Sequence, residues 1–169
     1  TAHVGDVVYA SLWAPDAGRS RSFYERVLGG LGALGTADAA TATLMRCYET
    51  PDVDAAVVAV RAAGGTADAP RDEPHGRTAD CVDDQGIPFA LMSGEAGGPV
   101  TELAHLTLQV PDAVRARAFY ATVLGWGFAP GGVADGWRAR IGPAYPRPRI
   151  TVRGGQPTAV VVPTFVVAD

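Results

Sequence analysis

HLTLQVPDAVRARAFYATVLGWGF, residues 105–128, passes from a short alternating segment through a Pro-Asp pair into a helical pattern. Apolar and polar residues alternate across LAHLTLQV (103–110), as they do in a strand with one buried face. Asp112 stands where it can cap the next helix. In that helix Phe119, Tyr120, Val123 and Leu124 recur at helical spacing as a single apolar stripe. Gly125 supplies the stop. The unit is strand, turn, helix.

The same unit stands 96 residues upstream. APDAGRSRSFYERVLGG (14–30) aligns with VPDAVRARAFYATVLGW (110–126), with ten identities in the 16 positions from Pro15. That is far above chance, so the chain contains a duplication. The strand before it, VVYASLWA (7–14), alternates in the same way. A fainter echo follows each copy. TLMRCYETPDVDAAVVAVRAAGG (43–65) is again strand, Pro-Asp turn, helix and glycine stop, and VVVPTFVVAD (160–169) begins the pattern anew. HGRTADCVDDQGIPFALMSG (75–94) is expected to form a hairpin turning at Asp83-Asp84-Gln85-Gly86.

The plan is four strand-first modules. Asp112 to Asp169 spans 57 residues but Asp16 to Asp52 only 36, so the first module is short by roughly 21. Either it has lost strands or the stretch joins segments that a longer chain separates; lost strands would open a sheet edge, which favours the second. The expected division is 1–96 for modules 1 and 2, with module 1 missing strands, and 97–169 for module 3 and the first strand of an incomplete module 4.

Composition narrows the function. With 47% apolar residues and 19% charged, the chain can bury a core. Its net charge of −4 argues against a nucleic-acid partner held by a basic surface. All 14 basic residues are arginine; that composition carries little functional weight by itself. Cys47 and Cys81 form neither a disulfide framework nor a zinc knuckle, so a reducing, cytoplasmic setting is expected. No apolar run approaches the roughly 18 residues of a membrane span, so no membrane partner is expected.

The repeated HLTLQVPDAVRARAFYATVLGW and YASLWAPDAGRSRSFYERVLGG, with HGRTADCVDDQGIPFALM as a closing segment, resemble the vicinal oxygen chelate superfamily. That group includes glyoxalase I, extradiol dioxygenases, and the bleomycin- and fosfomycin-resistance proteins. The resemblance implies an α+β fold of repeated βαβββ modules, whose curved mixed sheets form open cups with the helices outside. It implies a ligand or metal inside the cup, in a monomer with internal pseudo-symmetry or a homodimer.

Metal-using members carry a histidine on the first strand, seven residues before the turn aspartate, and a glutamate on the last strand. A divalent ion needs several such groups and open positions for substrate oxygens. Counting back seven from Asp112 gives His105, a match; from Asp16, Asp52 and Asp169 it gives Tyr9, Met45 and Val162. The glutamate's place holds Ala90. One histidine cannot hold a mononuclear ion, so no metal and no other cofactor is expected, a divalent metal being the alternative. Strand phase then turns Tyr9, Ser11, Trp13, Met45, Cys47, Glu49, Pro88, Ala90 and Met92 toward the cup, together with His105, Thr107 and Gln109. Of these, Tyr9, Ser11, Trp13, Cys47, His105, Thr107 and Gln109 are the candidate ligand-binding residues. They suit a flat molecule stacked on Trp13 or Tyr9 and hydrogen-bonded by His105, Thr107 or Gln109. The plain alternative is that the rings merely fill the cup.

Other signals carry less. GLGALG (30–35) matches a dinucleotide-binding pattern but follows a helix instead of a strand. Asp83 and Asp84 occupy a turn expected to be solvated, and His75 lies just before a strand as a surface residue. Arg138, Arg140, Arg147, Arg149 and Arg153 cluster in the third module as a solvated face or, more sharply, as a rim attracting an anion. The preferred function is metal-free binding of an aromatic or antibiotic-like metabolite, for sequestration, resistance or delivery. The alternative is an enzyme: a metal-dependent lyase, isomerase or dioxygenase, or a metal-free acid/base catalyst using His105.

Overall fold

A computed structural model of the protein describes residues 1–94 and 97–167. Ala96, the last residue of the expected first half, and Asp169, the fourth turn aspartate, lie outside the described residues. The first part of the chain forms β1 (Val7–Ala14), α1 (Ala17–Leu28), β2 (Gly35–Asp38), β3 (Thr43–Glu49), α2 (Val53–Ala62), β4 (Thr66–Ala67), β5 (Arg71–Glu73), β6 (Gly76–Val82) and β7 (Pro88–Ser93). The remainder forms β8 (Leu103–Gln109), α3 (Ala113–Leu124), β9 (Gly127–Pro130), β10 (Gly136–Arg140), β11 (Arg149–Arg153) and β12 (Val160–Phe165). The strands make two mixed sheets, ordered β2-β1-β3-β7-β6-β4 with β5 also on β6, and β12-β8-β11-β10-β9.

The duplication is visible in the register. In the first three modules the opening strand pairs in parallel with the module's last strand: β1 with β2, β3 with β7, β8 with β11. Two residues beyond the position seven before each turn aspartate, Ser11 faces Gly35, Cys47 faces Ala90 and Thr107 faces Thr151. Opening strands also pair antiparallel across modules, β1 with β3 and β8 with β12. The first module runs from α1 through a short turn straight into β2, whose parallel place beside β1 is that of a last strand. The two strands that precede β11 in the third module, β9 and β10, have no counterpart there.

The helices begin and end as their sequences dictate. Asp16, Asp52 and Asp112 each accept a backbone N–H of the first turn, from Arg19, from Ala55, and from Val114 and Arg115. Gly29 and Gly125 take left-handed conformations, at φ 75° and 68°, where a Cβ would be strained. The convex faces of both sheets share one core with α2 and α3. It includes Leu12, Leu44 and Tyr48 from the first sheet, Leu106, Leu108 and Ile150 from the second, and Val57, Val60, Phe119 and Tyr120 from the helices.

The two copies of the quoted helix differ in what covers them. In α3 the stripe Phe119, Tyr120, Val123 and Leu124 is buried. In α1 the matching Phe23 and Val27 are 51% and 55% exposed, and no residue of the helix is buried. Only the edge of this face is covered: Phe165, at the end of β12, meets Tyr24 with ring centroids 5.5 Å apart.

The hairpin between β6 and β7 turns where expected, at residues 83–86. Its first aspartate is not solvated, however. Asp83 is buried, accepts the backbone N–H groups of Gln85 and Ile87, and takes the Tyr120 hydroxyl at 2.7 Å. Asp84 is held by Arg115 at 3.2 Å. The pair is an anchor between the hairpin and α3, because the turn packs against a helix and not into water.

Candidate ligand-binding cups

Each sheet is concave on the face away from the helices, and each concavity holds a site. The first cup has a volume of about 420 Å³. Tyr9, Ser11 and Trp13 reach it from β1, Met45 and Cys47 from β3, and Ala90 from β7. Their chain neighbours Ala10, Leu12, Leu44, Tyr48, Phe89 and Leu91 lie in the core on the other side, as period-two alternation requires. A bulge at Val8 in β1 brings that residue to the cup side as well, where it packs with Met45, Cys47, Ala90 and Met92.

The ring of Tyr9 lies across the edge strand. A Cβ added at Gly35 would collide with the Tyr9 hydroxyl and press on Ser11 Oγ. The absent side chain at 35 is therefore what lets Tyr9 lie there, and the ring remains 49% exposed. Trp13, half-buried, lines this cup and also two neighbouring clefts, of about 410 Å³ toward β12 and about 210 Å³ toward β4. Glu49 and Pro88, expected to face the cup, lie apart from it. Glu49 sits beside buried Asp6 at the end of β3, its carboxyl pushed up by burial and by that neighbouring charge, and Pro88 lines the two clefts.

Strand phase in the first three modules could not reveal the polar rim of this cup. Arg71 and Glu73 come from β5, His75 from the turn after it, and Thr78 and Asp80 from β6. Arg71 is paired with Glu73 at 3.0 Å and with Asp80 at 2.9 Å, so the rim carries a slight negative excess. Thr78 Oγ1 is buried without a hydrogen-bond partner. The usable signal was the HGRTAD segment, whose own alternation turns Thr78 and Asp80 to one side. Burial raises the Cys47 thiol to about 12, so it serves the cup as a small apolar group and not as a thiolate.

His105, Thr107 and Gln109 are not in this cup. They line a second one, of about 280 Å³, on the other sheet, with Thr151, Arg138, Arg153 and the loop 131–133. The seven candidate residues thus fall into two groups: Tyr9, Ser11, Trp13 and Cys47 together, and His105, Thr107 and Gln109 together. The cup that Trp13 lines and the one that His105 lines are separate, because the repeated strands β1 and β8 belong to different sheets. His105 Nε2 lies 3.0 Å from Thr151 Oγ1. Its imidazole is shifted below its ordinary value, first by burial and then by the Arg149 guanidinium.

The registers extend the test of the metal positions. Gly35, Ala90 and Thr151 occupy equivalent places on the last strands of three modules, opposite Ser11, Cys47 and Thr107. With Tyr9, Met45, His105 and Val162 on the opening strands, only His105 is an ordinary ligand, and these seven positions do not by themselves hold a divalent ion. Among the described residues no three of His, Cys, Asp and Glu are grouped to hold an ion.

No family model matches the sequence, and no curated protein matches it. Solved structures do. The Mn(II)-bound glyoxalase from Novosphingobium aromaticivorans superposes with a TM-score of 0.71 at 17% identity, over 94% of this chain and 64% of that one. The fold is that of the vicinal oxygen chelate superfamily. The 2,2',3-trihydroxybiphenyl 1,2-dioxygenase of Sphingomonas wittichii strain RW1 gives 0.67 at 13% identity, over 91% of this chain and 71% of that one. Homoprotocatechuate 2,3-dioxygenase from Brevibacterium fuscum, complexed with 3,4-dihydroxyphenylacetate, gives 0.64 at 21% identity, over 94% and 64%. The chain thus spans about two thirds of these proteins. Among the described residues no helix is long and apolar enough to cross a membrane.

Proposed function

We propose that the protein binds a small, flat, partly apolar organic molecule in the first cup, without a metal ion. The single observation that carries this reading is the lining. Two partly exposed rings, Tyr9 and Trp13, stand with small or soft side chains at Ser11, Met45, Cys47 and Ala90, and Tyr9, Met45 and Ala90 hold places where an ion would need imidazoles and a carboxylate. A volume of about 420 Å³ falls in the range of small-molecule sites. Stacking on Trp13 supplies affinity, and the unpartnered Thr78 hydroxyl and the Tyr9 hydroxyl supply orientation. Sequestration, resistance or delivery of an aromatic or antibiotic-like metabolite is the role such a site suits.

The test is tryptophan fluorescence during titration with phenol, catechol and dihydroxynaphthalene. Trp126 is buried in the core and Trp137 lies beneath Arg117 on the helix side, so quenching from the cup reports on Trp13. Saturable quenching that vanishes in Trp13→Phe and persists in Trp137→Phe is expected. Absence of saturable quenching with every probe would mean that the rings only fill the cup.

A second reading is favoured by the solved neighbours, which are enzymes. In it the protein is a catalyst, with His105 as a metal-free acid or base beside Thr151, or a metal-dependent lyase, isomerase or dioxygenase. Elemental analysis of protein purified without chelators separates these readings. Less than a tenth of an equivalent of manganese, iron, nickel or zinc is expected, and stoichiometric metal would overturn the proposal.

A further inference from the structure

The second cup differs from the first in charge. On β11 the core-facing Ile150 and Val152 alternate with Arg149, Thr151 and Arg153, and on β10 the buried Ala139 separates Arg138 from Arg140. All of the latter share the concave face with His105, Thr107 and Gln109, because Thr107 is in register with Thr151 and Thr151 with Arg138. One concave surface therefore collects four arginines.

Half of the ten arginines outside this face are paired with acids. Arg21, Arg71, Arg77, Arg115 and Arg147 each meet a carboxylate, and the last of these leaves the sequence cluster to bind buried Asp6 at 2.7 Å. Arg138, Arg140, Arg149 and Arg153 meet none among the described residues. Arg138 donates to the Pro130 carbonyl and Arg140 to that of Pro143, while Arg140 and Arg149 both lie 4.9 Å from the Tyr145 ring. Asp135, the acid closest in sequence to Arg138, is turned to the other side. It accepts the Trp137 indole N–H, and its carboxylate lies against Gly154 where Ala113 of α3 also packs. In a chain with 18 acidic residues and a net charge of −4, a concave patch of unpaired cations is a local excess that an anion would neutralise.

We propose that the second cup is a binding site for a small molecule bearing an oxyanion, a carboxylate or a phosphate ester. Arg138 and Arg153 supply the charge, and Thr107, Thr151 and Gln109 supply hydrogen bonds around it. Guanidinium groups suit this role because their forked donors match both oxyanions. A cavity of about 280 Å³ admits a metabolite-sized anion but not a folded partner. Neither the site nor its ligand class depends on the aromatic cup, which lies on the other sheet.

The experiment is an amide NMR titration of the intact chain with inorganic phosphate, with acetate, and with neutral ethylene glycol as control. Saturable shifts are expected at Thr107, Thr151 and Arg153, with none at Ser11 or Cys47. A stronger response to phosphate or to acetate tells which oxyanion the cup prefers. In Arg138→Gln with Arg153→Gln, both on exposed side chains, affinity is expected to fall about tenfold or more, the loss of one charge-assisted hydrogen bond being worth that factor. Weakening of the wild-type shifts with added salt gives the same answer without a variant. No saturable shift with either anion, an equal response to ethylene glycol, or unchanged affinity in the double variant would overturn the proposal.

Discussion

Phe23 and Phe119 occupy the same place in two copies of one sequence, so replacing each by alanine removes the same atoms from different surroundings. Phe119 is 2% exposed and packs edge-on against Phe89, with ring centroids 6.0 Å apart, while a Cβ added at Gly65 would press against its ring. Deleting a fully buried phenyl ring loses its transfer free energy and leaves a cavity, about 3–5 kcal/mol together. Phe23 is 51% exposed and touches Tyr24 at 5.2 Å. Burying a whole such side chain is worth about 1.5–3 kcal/mol, so half of it is worth about 1 kcal/mol, and water fills the space without a cavity penalty. The expected ratio is therefore threefold or more. Urea unfolding followed by circular dichroism measures both, with equal slopes against denaturant as the sign that the transition is unchanged. Losses equal within about 0.5 kcal/mol would refute the reasoning, because they would mean that something covers α1 in solution as the core covers α3.

Both thiols are raised to about 12, chiefly by burial, so native protein should leave Ellman's reagent unreacted over hours while urea releases two equivalents. His105 should titrate below 6.5 by its ring-proton resonances, and Arg149→Gln should move it back upward. Because the folded value is depressed, this histidine's contribution to stability is full above about pH 6.5 and is lost as the pH falls through the lower folded value. Tyr120→Phe removes the 2.7 Å bond to buried Asp83 and should cost about 1.5–3 kcal/mol in the same urea assay; a loss below about 0.5 kcal/mol would show that Asp83 needs no such donor. Gly35→Val should push the Tyr9 ring out of the first cup and weaken saturable quenching of Trp13, whereas unchanged binding would remove Tyr9 from the site.

What the sequence made legible was everything set by neighbours in the chain. The aspartate caps, the glycine stops, the hairpin turn and the two faces of β1, β3, β7 and β8 follow from spacing alone, and they are found in place except at Val8, which a bulge turns to the cup, and at Glu49 and Pro88, which lie apart from it. Residues such as Tyr9, Trp13, Cys47, His105 and Gln109 each lie on the face their phase assigned. Asp83 escaped, since nothing local says that a hairpin turn will end beneath a helix 37 residues further on. The rim residues Arg71, Glu73 and His75 escaped as well. They sit on a three-residue strand and the turn after it, too short for alternation to be read.

The larger gap concerns which faces belong together. Period-two alternation tells a residue which side of its own sheet it takes, but it is silent on which sheet that is, so Trp13 and His105 could be assigned one shared cup although they line two. Pairing settles that question, and pairing here depends on β3 and β12, each of which adds antiparallel to the opening strand of its own half. Once the halves are separate, the divergence of the copies acquires a physical sense. Position by position, Tyr9 stands for His105, Ser11 for Thr107 and Gly35 for Thr151, with the same registers and the same buried backing. The scaffold of the repeat was kept by its core, whereas the concave faces, which the core does not constrain, were left to differ. One became aromatic with a faintly acidic rim and the other cationic. Two faces that a common fold does not oblige to differ, yet that differ in both ring content and charge, are what two ligands of different chemistry would require.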